Sequence, residues 1–506
     1  MTTGLHHVTA LTRRVQANVD FYAGFLGLRL VKQTAGFEDA AQLHLFYGDA
    51  LGSPGSLVTF LVWEDGARGR IGLGQPAEIA LAVPPASIGD WLTRAMAAQV
   101  PVEGPMREFG EAVLRLKDPD GITVKLVGVD LPATAPLPDP IAPTRLRGLT
   151  LLSDQPQATA AFLAPFGYRP AGTEGAVRRL VSDRDVLDIR DIVGFVPGIP
   201  GTGTVDHLAL RAPDATAVDA MQETHGAGRQ TNLHDRKYFR SLYLREPGGV
   251  LVEYASDGPG MGVDEPSETL GQTLFLPPDD AERAEALRVS LPQFARPGEE
   301  RIPMRALNFV HRFHRPANPD GTTLVLLHGT GGDESDLMPL AARIAPNATL
   351  LGVRGRSTEE GILRWFRRMD AVTYDQADIR TEAAAFADFV TEATRAYGLD
   401  PARLVFMGYS NGANLLGAVL QLHPGVVSRA ILLRGIQVLE DAPEPDLTGA
   451  RVLITTGERD PFGRMAPALV AALRKGGAEV AAPVLPADHR LAAQDSVQAR
   501  DWLAAT

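Results

Sequence analysis

The chain has no cysteine among its 506 residues, which removes disulfides, zinc–thiolate sites and thiol nucleophiles together. Any metal it holds must be carried by histidine and carboxylate. Long apolar runs are also missing, since no stretch approaches the roughly 18 uninterrupted residues of a membrane span. The start, Met1-Thr2-Thr3-Gly4-Leu5-His6-His7, has neither the basic region nor the apolar segment of a signal peptide, so a cytoplasmic protein is expected. Positive charge is short: 49 Lys and Arg against 61 Asp and Glu give a formal charge of −12. That balance argues against a nucleic-acid partner, which calls for clustered cations. What is present is an ordinary globular composition, 45% hydrophobic and 22% charged, in a chain too long for a single hydrophobic core.

The first half repeats a pattern of strand, helix and further strands. Leu116-Lys117-Asp118-Pro119-Asp120-Gly121-Ile122-Thr123-Val124-Lys125 matches Leu244-Arg245-Glu246-Pro247-Gly248-Gly249-Val250-Leu251-Val252-Glu253 in type. Each is an acidic-Pro turn followed by an apolar strand. Four such units begin near Gly4, Ala77, Arg145 and Thr204, a period of roughly 60 residues that marks a supersecondary module. A polar stretch from Ser256 to Glu268 and an Ala/Glu/Arg-rich helix around Asp280–Val289 follow, and Pro297-Gly298-Glu299-Glu300 reads as the linker. From Arg301 onward, strands alternate with long amphipathic helices, the mark of a mostly parallel α/β sheet. The expected division is 1–135 and 143–295 for two α+β modules of two repeats each, then 301–506.

The four repeats differ chemically. At the first strand the first unit carries His7 and the fourth carries His207, where the second has Ala77-Glu78-Ile79-Ala80 and the third has Arg147-Gly148-Leu149. At the closing strand the fourth unit has Glu253 where the second has Lys125. A structural role would be shared by all repeats, so His7, His207 and Glu253 are read as metal ligands. Two imidazoles and one carboxylate suit non-haem Fe(II), with Mn(II) as the alternative. Such a site carries about +1 net charge, which favours a phenolate. His44 and His225 read as structural, and His234 as a group close to the ligands.

The run Leu5-His6-His7-Val8-Thr9, then Phe21-Tyr22 and Leu26-Gly27-Leu28-Arg29-Leu30-Val31-Lys32, then His44-Leu45-Phe46-Tyr47-Gly48-Asp49 resembles hydroquinone-type ring-cleaving dioxygenases of the vicinal-oxygen-chelate class. Glu268-Thr269-Leu270-Gly271-Gln272-Thr273-Leu274-Phe275-Leu276-Pro277-Pro278 is similar to that family's C-terminal extension. The resemblance covers about Thr2 to Pro292. It implies four βαβββ units in two open-barrel modules, O₂ and an aromatic diphenol as substrates, and the same three ligands. It also implies roles around the metal for His6, Thr9, Arg236 and Tyr243: Arg236 stabilising negative charge, and Tyr243 and His6 moving or orienting protons. One departure is Asp206, which stands where the family often has a second histidine.

In the second half, Gly408-Tyr409-Ser410-Asn411-Gly412 is a G-x-S-x-G nucleophile elbow between an apolar strand and an Ala/Leu-rich helix. Upstream, Leu324-Val325-Leu326-Leu327-His328-Gly329-Thr330-Gly331-Gly332 supplies an oxyanion loop, so the backbone N–H groups of Thr330 and Asn411 are expected to face the oxyanion. Asp460 and His489 follow at strand ends in the chain order Ser, Asp, His, with Glu458 and Asp488 as competing acids. Arg301–Thr506 resembles the small carboxylesterase and phospholipase-like branch of the α/β-hydrolases, implying an ester or other acyl small molecule as its substrate. The combined reading is a bifunctional enzyme of aromatic degradation. The alternatives are a glyoxalase- or isomerase-like first half, which calls for a fourth protein ligand, or a drug-binding one. No membrane partner is expected, and the oligomeric state stays open, a homo-oligomer included.

Overall fold

The computed structural model describes residues 3–225, 232–301, 305–370 and 372–505, with the side chain of His225 outside the described residues. It divides into two compact units: Met1–Ala281 with Phe294–Glu300, and Glu282–Gln293 with Arg301–Thr506.

The first unit is built on two sheets, each assembled from two repeats. Repeats one and four make a nine-stranded sheet through antiparallel pairing of Leu5–Thr12 with Val205–Ala212. Repeats two and three make an eight-stranded sheet through the same pairing of Pro76–Val83 with Arg145–Ser153. The chain therefore does not fold as two consecutive barrels of residues 1–135 and 143–295. Each sheet joins repeats that the sequence order assigns to different modules: the first strand of repeat one covers the open edge of repeat four, and that of repeat two covers repeat three. Leu274–Phe275, from the expected C-terminal extension, adds an edge strand beside Gln33 and Thr34 of the first repeat.

The helix Ala284–Ser290 belongs to the second unit, not to the first as expected. Its Leu287 is buried, and Val289 packs on the cluster that holds Met338, Ala341 and Ile344 of the helix Met338–Ile344. Burial of apolar side chains, not position relative to a Pro-Gly linker, decides where the segment goes.

The second unit has strands in the order 311–314, 349–353, 323–327, 404–409, 429–433, 451–457 and 479–481, all parallel except the first. One face packs Phe386 and Phe389 of Gln376–Tyr397 with Leu415 and Leu416 of Asn411–Leu422. The other packs Met338 and Ala341 with Ala499 of Ala493–Ala504. This is a doubly wound α/β sheet, whose ligand crevice lies beyond the carboxyl ends of its strands.

Candidate metal centre and serine site

In the nine-stranded sheet, Thr9 lies opposite His207, His7 opposite Ala209, and Ala209 opposite Glu253. Those registers and the alternation of a strand bring His7, His207 and Glu253 onto one face. Their ligand atoms all lie within 4.8 Å of one another. Glu253 Oε2 is 3.1 Å from His7 Nε2 and 2.9 Å from His207 Nε2. His207 Nε2 and Glu253 Oε2 are nevertheless buried with no hydrogen-bond partner, because they converge on a common point without aligning as donor and acceptor. Buried polar atoms are normally satisfied, so three converging nitrogen and oxygen atoms fit a divalent cation.

The groups behind the ligands hold them in place. His207 Nδ1 lies 2.7 Å from Asp206 Oδ2, so Asp206 fixes the ring with Nε2 turned inward, as a carboxylate behind a ligating imidazole does. The Ser241 hydroxyl donates to Glu253 Oε1, leaving Oε2 free. Burial works against charge on His207, but Asp206 and Glu253 outweigh it and raise its pKa to about 9. The site thus draws positive charge to itself. Asp206, noted as a departure from the family pattern, is the group that orients the His207 ring here.

His7, Thr9, His44, Phe46, Asp206, His207, Arg236, Phe239, Tyr243 and Glu253 line one cavity of about 190 Å³. Arg236 reaches it with its guanidinium 5.8 Å from the Tyr243 ring centroid and 3.0 Å from Glu38. Burial holds the Tyr243 phenol well above its ordinary pKa, Glu253 adds to that, and Arg236 partly offsets it. Thr9 hydrogen-bonds Thr59 at 2.9 Å, and His44 Nε2 reaches the same Thr59 hydroxyl at 2.9 Å. His44, read as structural, therefore belongs to the cavity wall, kept neutral by burial. The signal that marks it is its alternation with Phe46 on one strand face. His6 is not on that wall. Its Nδ1 lies 2.8 Å from His7 Nδ1 and its ring packs edge-on against Phe239 at 5.0 Å, so it backs the cluster from behind the wall. His234 stacks edge-on against Tyr243 at 5.8 Å.

A second correction concerns the sister repeats. In the eight-stranded sheet Thr150 lies opposite Glu78, Gly148 opposite Ala80, and Ala80 opposite Lys125. The residue in the place of His207 is thus Glu78 of the Ala77-Glu78-Ile79-Ala80 stretch, a metal-capable carboxylate in a repeat from which no ligand was expected. Its carboxylate is instead taken by Arg115 at 2.8 Å, Thr150 at 2.9 Å and Lys125 at 3.3 Å. Gly148, in the place of His7, admits no side chain, since a Cβ would fall 2.3 Å from the Val186 carbonyl oxygen.

The serine site forms where Leu404–Tyr409 turns into Asn411–Leu422. Ser410 sits at φ 50°, ψ −112°, a strained turn that lifts its hydroxyl out of the sheet. Both flanking glycines are required: a Cβ on Gly408 would meet Ala413 N at 2.7 Å, and one on Gly412 would meet Leu327 O at 2.3 Å. Ser410 Oγ is 2.9 Å from His489 Nε2, and His489 Nδ1 is 3.0 Å from Asp460 Oδ2. Asp460, not Glu458 or Asp488, is the acid that meets the histidine. Thr330 and Asn411 line the same cavity, and Asn411 opens a helix whose N-terminal dipole favours negative charge there.

Two residues missed in the sequence shape this site. His328 Nε2 accepts from the Gly355 N–H at 2.9 Å while Nδ1 lies 2.6 Å from the Gly329 carbonyl oxygen, which sets the oxyanion loop. Arg434, fully buried against Asp495, donates to the carbonyl oxygens of Asp488 and Arg490 on either side of His489. It thereby fixes the histidine loop.

Fold and site together define a vicinal-oxygen-chelate unit joined in one chain to a unit of the α/β-hydrolase type. Comparisons with known proteins agree on both. Residues 4–126 match the family model described as Glyoxalase/Bleomycin resistance protein/Dioxygenase superfamily. The chain is 37% identical over 287 residues to MhqO of Bacillus subtilis, named as a ring-cleaving dioxygenase, covering 54% of this chain and 91% of that one. It is 32% identical over 295 residues to the chlorohydroquinone/hydroquinone 1,2-dioxygenase of Sphingobium indicum, covering 54% and 91%. MhqD of Bacillus subtilis, named as a hydrolase, is 35% identical over 181 residues, 35% of this chain and 90% of that one. The chain belongs to the ring-cleaving dioxygenase family of this superfamily, and it carries a hydrolase part as well.

Proposed function

We propose that the first unit binds Fe(II), with Mn(II) as the second candidate, through His7, His207 and Glu253, and uses O₂ to cleave a hydroquinone-like diphenol. The carrying observation is the buried cluster of three converging ligand atoms, of which His207 Nε2 and Glu253 Oε2 have no hydrogen-bond partner. The name of the Sphingobium relative supports the diphenol class. Fe(II) held by His7, His207 and Glu253 would supply the redox chemistry that lets O₂ react with a diphenol. The chain's own groups do the rest. Phe46 and Phe239 wall the cavity with apolar surface that takes a ring and excludes water. Arg236 offers fixed positive charge to an anionic ring oxygen. Tyr243 keeps its proton, since burial raises its pKa, and so donates a hydrogen bond where negative charge grows. Thr9 and His44, joined through Thr59, fix the opposite wall. The diphenol takes up both atoms of O₂ as the carbon–carbon bond beside a hydroxylated carbon breaks: one oxygen completes a carboxylate on that carbon and the other becomes the carbonyl oxygen of its former neighbour.

The second unit is read as a serine hydrolase of an ester, lactone or related acyl compound, supported by the Ser410, His489 and Asp460 geometry. His489 takes the Ser410 proton as Oγ attacks the carbonyl carbon, Asp460 holds the imidazole, and the Thr330 and Asn411 N–H groups face the oxyanion. His489 returns the proton to the leaving alcohol, and water then releases the acid.

The test of the first activity is oxygen uptake by protein loaded anaerobically with Fe(II) and offered hydroquinones and catechols, with His207→Ala as control. Uptake with a new ring-opened absorbance, lost in the variant, is expected. No uptake with any diphenol overturns the reading. For the second, Ser410→Ala is expected to lower nitrophenyl-ester turnover by about 10⁴ or more, and unchanged turnover overturns it.

A further inference from the structure

The cavity at Ser410 is basic in a chain that is acidic overall. Besides the serine, His489, Thr330, Asn411 and Asn414, it is lined by Arg364, Arg368 and Arg434, with no Asp or Glu among the described residues of its wall. Arg434 is neutralised: its guanidinium meets Asp495 at 2.7 and 2.9 Å, and both side chains are fully buried. Arg364 is different. It is 1% exposed, and its Nε is buried without a hydrogen-bond partner. One terminal nitrogen donates to the Glu359 carbonyl oxygen at 3.1 Å, and the other meets Glu360 at 3.2 Å. That carboxylate is 73% exposed, so solvent screens it and the pair contributes little. A buried guanidinium is therefore left with its Nε unpartnered and a weak counter-charge on the wall of a reactive pocket. Arg368 stands exposed on the same wall, and among the described residues no carboxylate pairs with it.

We infer that Arg364 and Arg368 form an anion subsite in the serine pocket, so that the hydrolase unit acts on acyl compounds that already carry a free carboxylate. The inference rests on the serine-hydrolase reading of this pocket. Guanidinium is the group best matched to a carboxylate, through paired N–H donors on a planar fork. A cavity of about 210 Å³ takes a short chain with a carboxylate at one end and the scissile carbonyl at the other. The reaction balances as a hemiester plus water giving a dicarboxylate, an alcohol and a proton. Oxidative ring opening is the class of reaction that supplies the free carboxylate on such a chain; the ester or lactone bond has to come from a separate acylation or ring-closing step.

The experiment compares mono-4-nitrophenyl glutarate with 4-nitrophenyl pentanoate, which have the same acyl length and differ in the terminal carboxylate. The full chain is expected to favour the glutarate in kcat/KM by at least about tenfold. That ratio is expected to fall about tenfold in Arg368→Gln and in Arg364→Gln, to rise in Glu360→Gln, and to shrink with added salt. A ratio at or below one, or a ratio unmoved in Arg368→Gln, overturns the subsite. Because Arg364 is buried and its variant can fail to fold, calorimetry on Ser410→Ala with monomethyl glutarate and methyl pentanoate gives an independent reading. Preferential binding of the anion there, with no turnover of either ester by the intact chain, removes the serine reading and keeps the subsite. Turnover of both esters at equal rates does the reverse.

Discussion

The two sheets of the first unit carry the same positions and opposite chemistry. In one, the strand registers gather His7, His207 and Glu253 beside Tyr243 and Thr59. In the other, the same registers gather Gly148, Glu78 and Lys125 beside Arg115 and Asp188. The first set leaves ligand atoms unpartnered around a cavity of about 190 Å³, and the second closes on itself around about 10 Å³. Lys125 lies 3.3 Å from Glu78, 3.2 Å from Glu108 and 3.9 Å from Asp188, while Arg179 binds Asp188 at 2.8 Å. A sheet geometry that can converge three side chains is thus equally able to hold a metal or to bury an ion-pair network. What separates the outcomes is whether each charge finds its counter-charge within the protein.

The strongest way to break this comparison is to remove a ligand. His207→Ala is expected to lower metal affinity by more than about 100-fold, since loss of a group merely behind a ligand costs 10–100-fold. Metal content measured after dialysis should fall from about one per chain to background. Retention of stoichiometric metal would place the ion elsewhere.

Next in size is the opposite sheet. Lys125→Ala takes away the most buried cation of this network and leaves Glu78 and Glu108 with Arg115 as their remaining close partner, so part of the about 3–5 kcal/mol that breaking a buried pair costs is expected. Denaturant unfolding should show that loss with metal content unchanged. Lys125→Met combined with Glu78→Gln should recover most of it, because both charges leave together. A loss below about 1 kcal/mol for Lys125→Ala would mean that the second network is a screened surface feature.

How far this contrast was legible depends on which property of the strand carries it. The three clustered residues were visible because internal repeats act as controls: His7, His207 and Glu253 stand out against Gly148 and Lys125 without any structure, and the structure brings the three together. Glu78 was missed because a one-residue shift in alignment exchanges the two faces of a strand, and only the pairing with Thr150 fixes it. His44 was missed because a single histidine in a strand has no sister to differ from. Its role depends on Thr59, a partner on another strand. The serine array was legible for a different reason, since the steric demands on Gly408 and Gly412 are local to the elbow. Arg434 was not, because its carbonyl partners Asp488 and Arg490 are more than 50 residues away. The pairing of repeat one with four also lay beyond sequence order, since each first strand has three equivalent partners on pattern alone.

The acid limb of stability sharpens the comparison further. Burial opposes the charge on Glu78, but Arg115 and Lys125 outweigh it and hold its pKa at about 2, against 4.5 for the free group. A carboxylate depressed on folding stabilises the protein above its unfolded pKa, and that contribution is lost as pH falls from 4.5 toward 2. The shift corresponds to about 3 kcal/mol. Denaturation midpoints measured across this window should fall less steeply in Glu78→Gln than in the parent chain. Identical slopes would show that Glu78 is not the group that titrates.

The smallest effect is expected behind the metal ligand, where it tests whether the open cluster is as pre-set as the closed one. Asp206→Asn keeps the shape of the side chain that meets His207 Nδ1 at 2.7 Å but removes its charge. The amide oxygen can still accept from Nδ1, so the ring keeps its orientation and Nε2 still faces Glu253. What it loses is the carboxylate that makes the imidazole a stronger base. Metal affinity is then expected to fall 10–100-fold, the usual range for such partners, without loss of folding stability. Replacing Asp206 with Ala removes the acceptor as well and should cost more, because the ring is then free to turn. If the two variants bind metal equally, the charge of Asp206 accounts for its whole effect. If Asn binds as tightly as Asp, orientation alone matters, and the contrast between the two sheets reduces to which ring and carboxylate atoms are left facing inward.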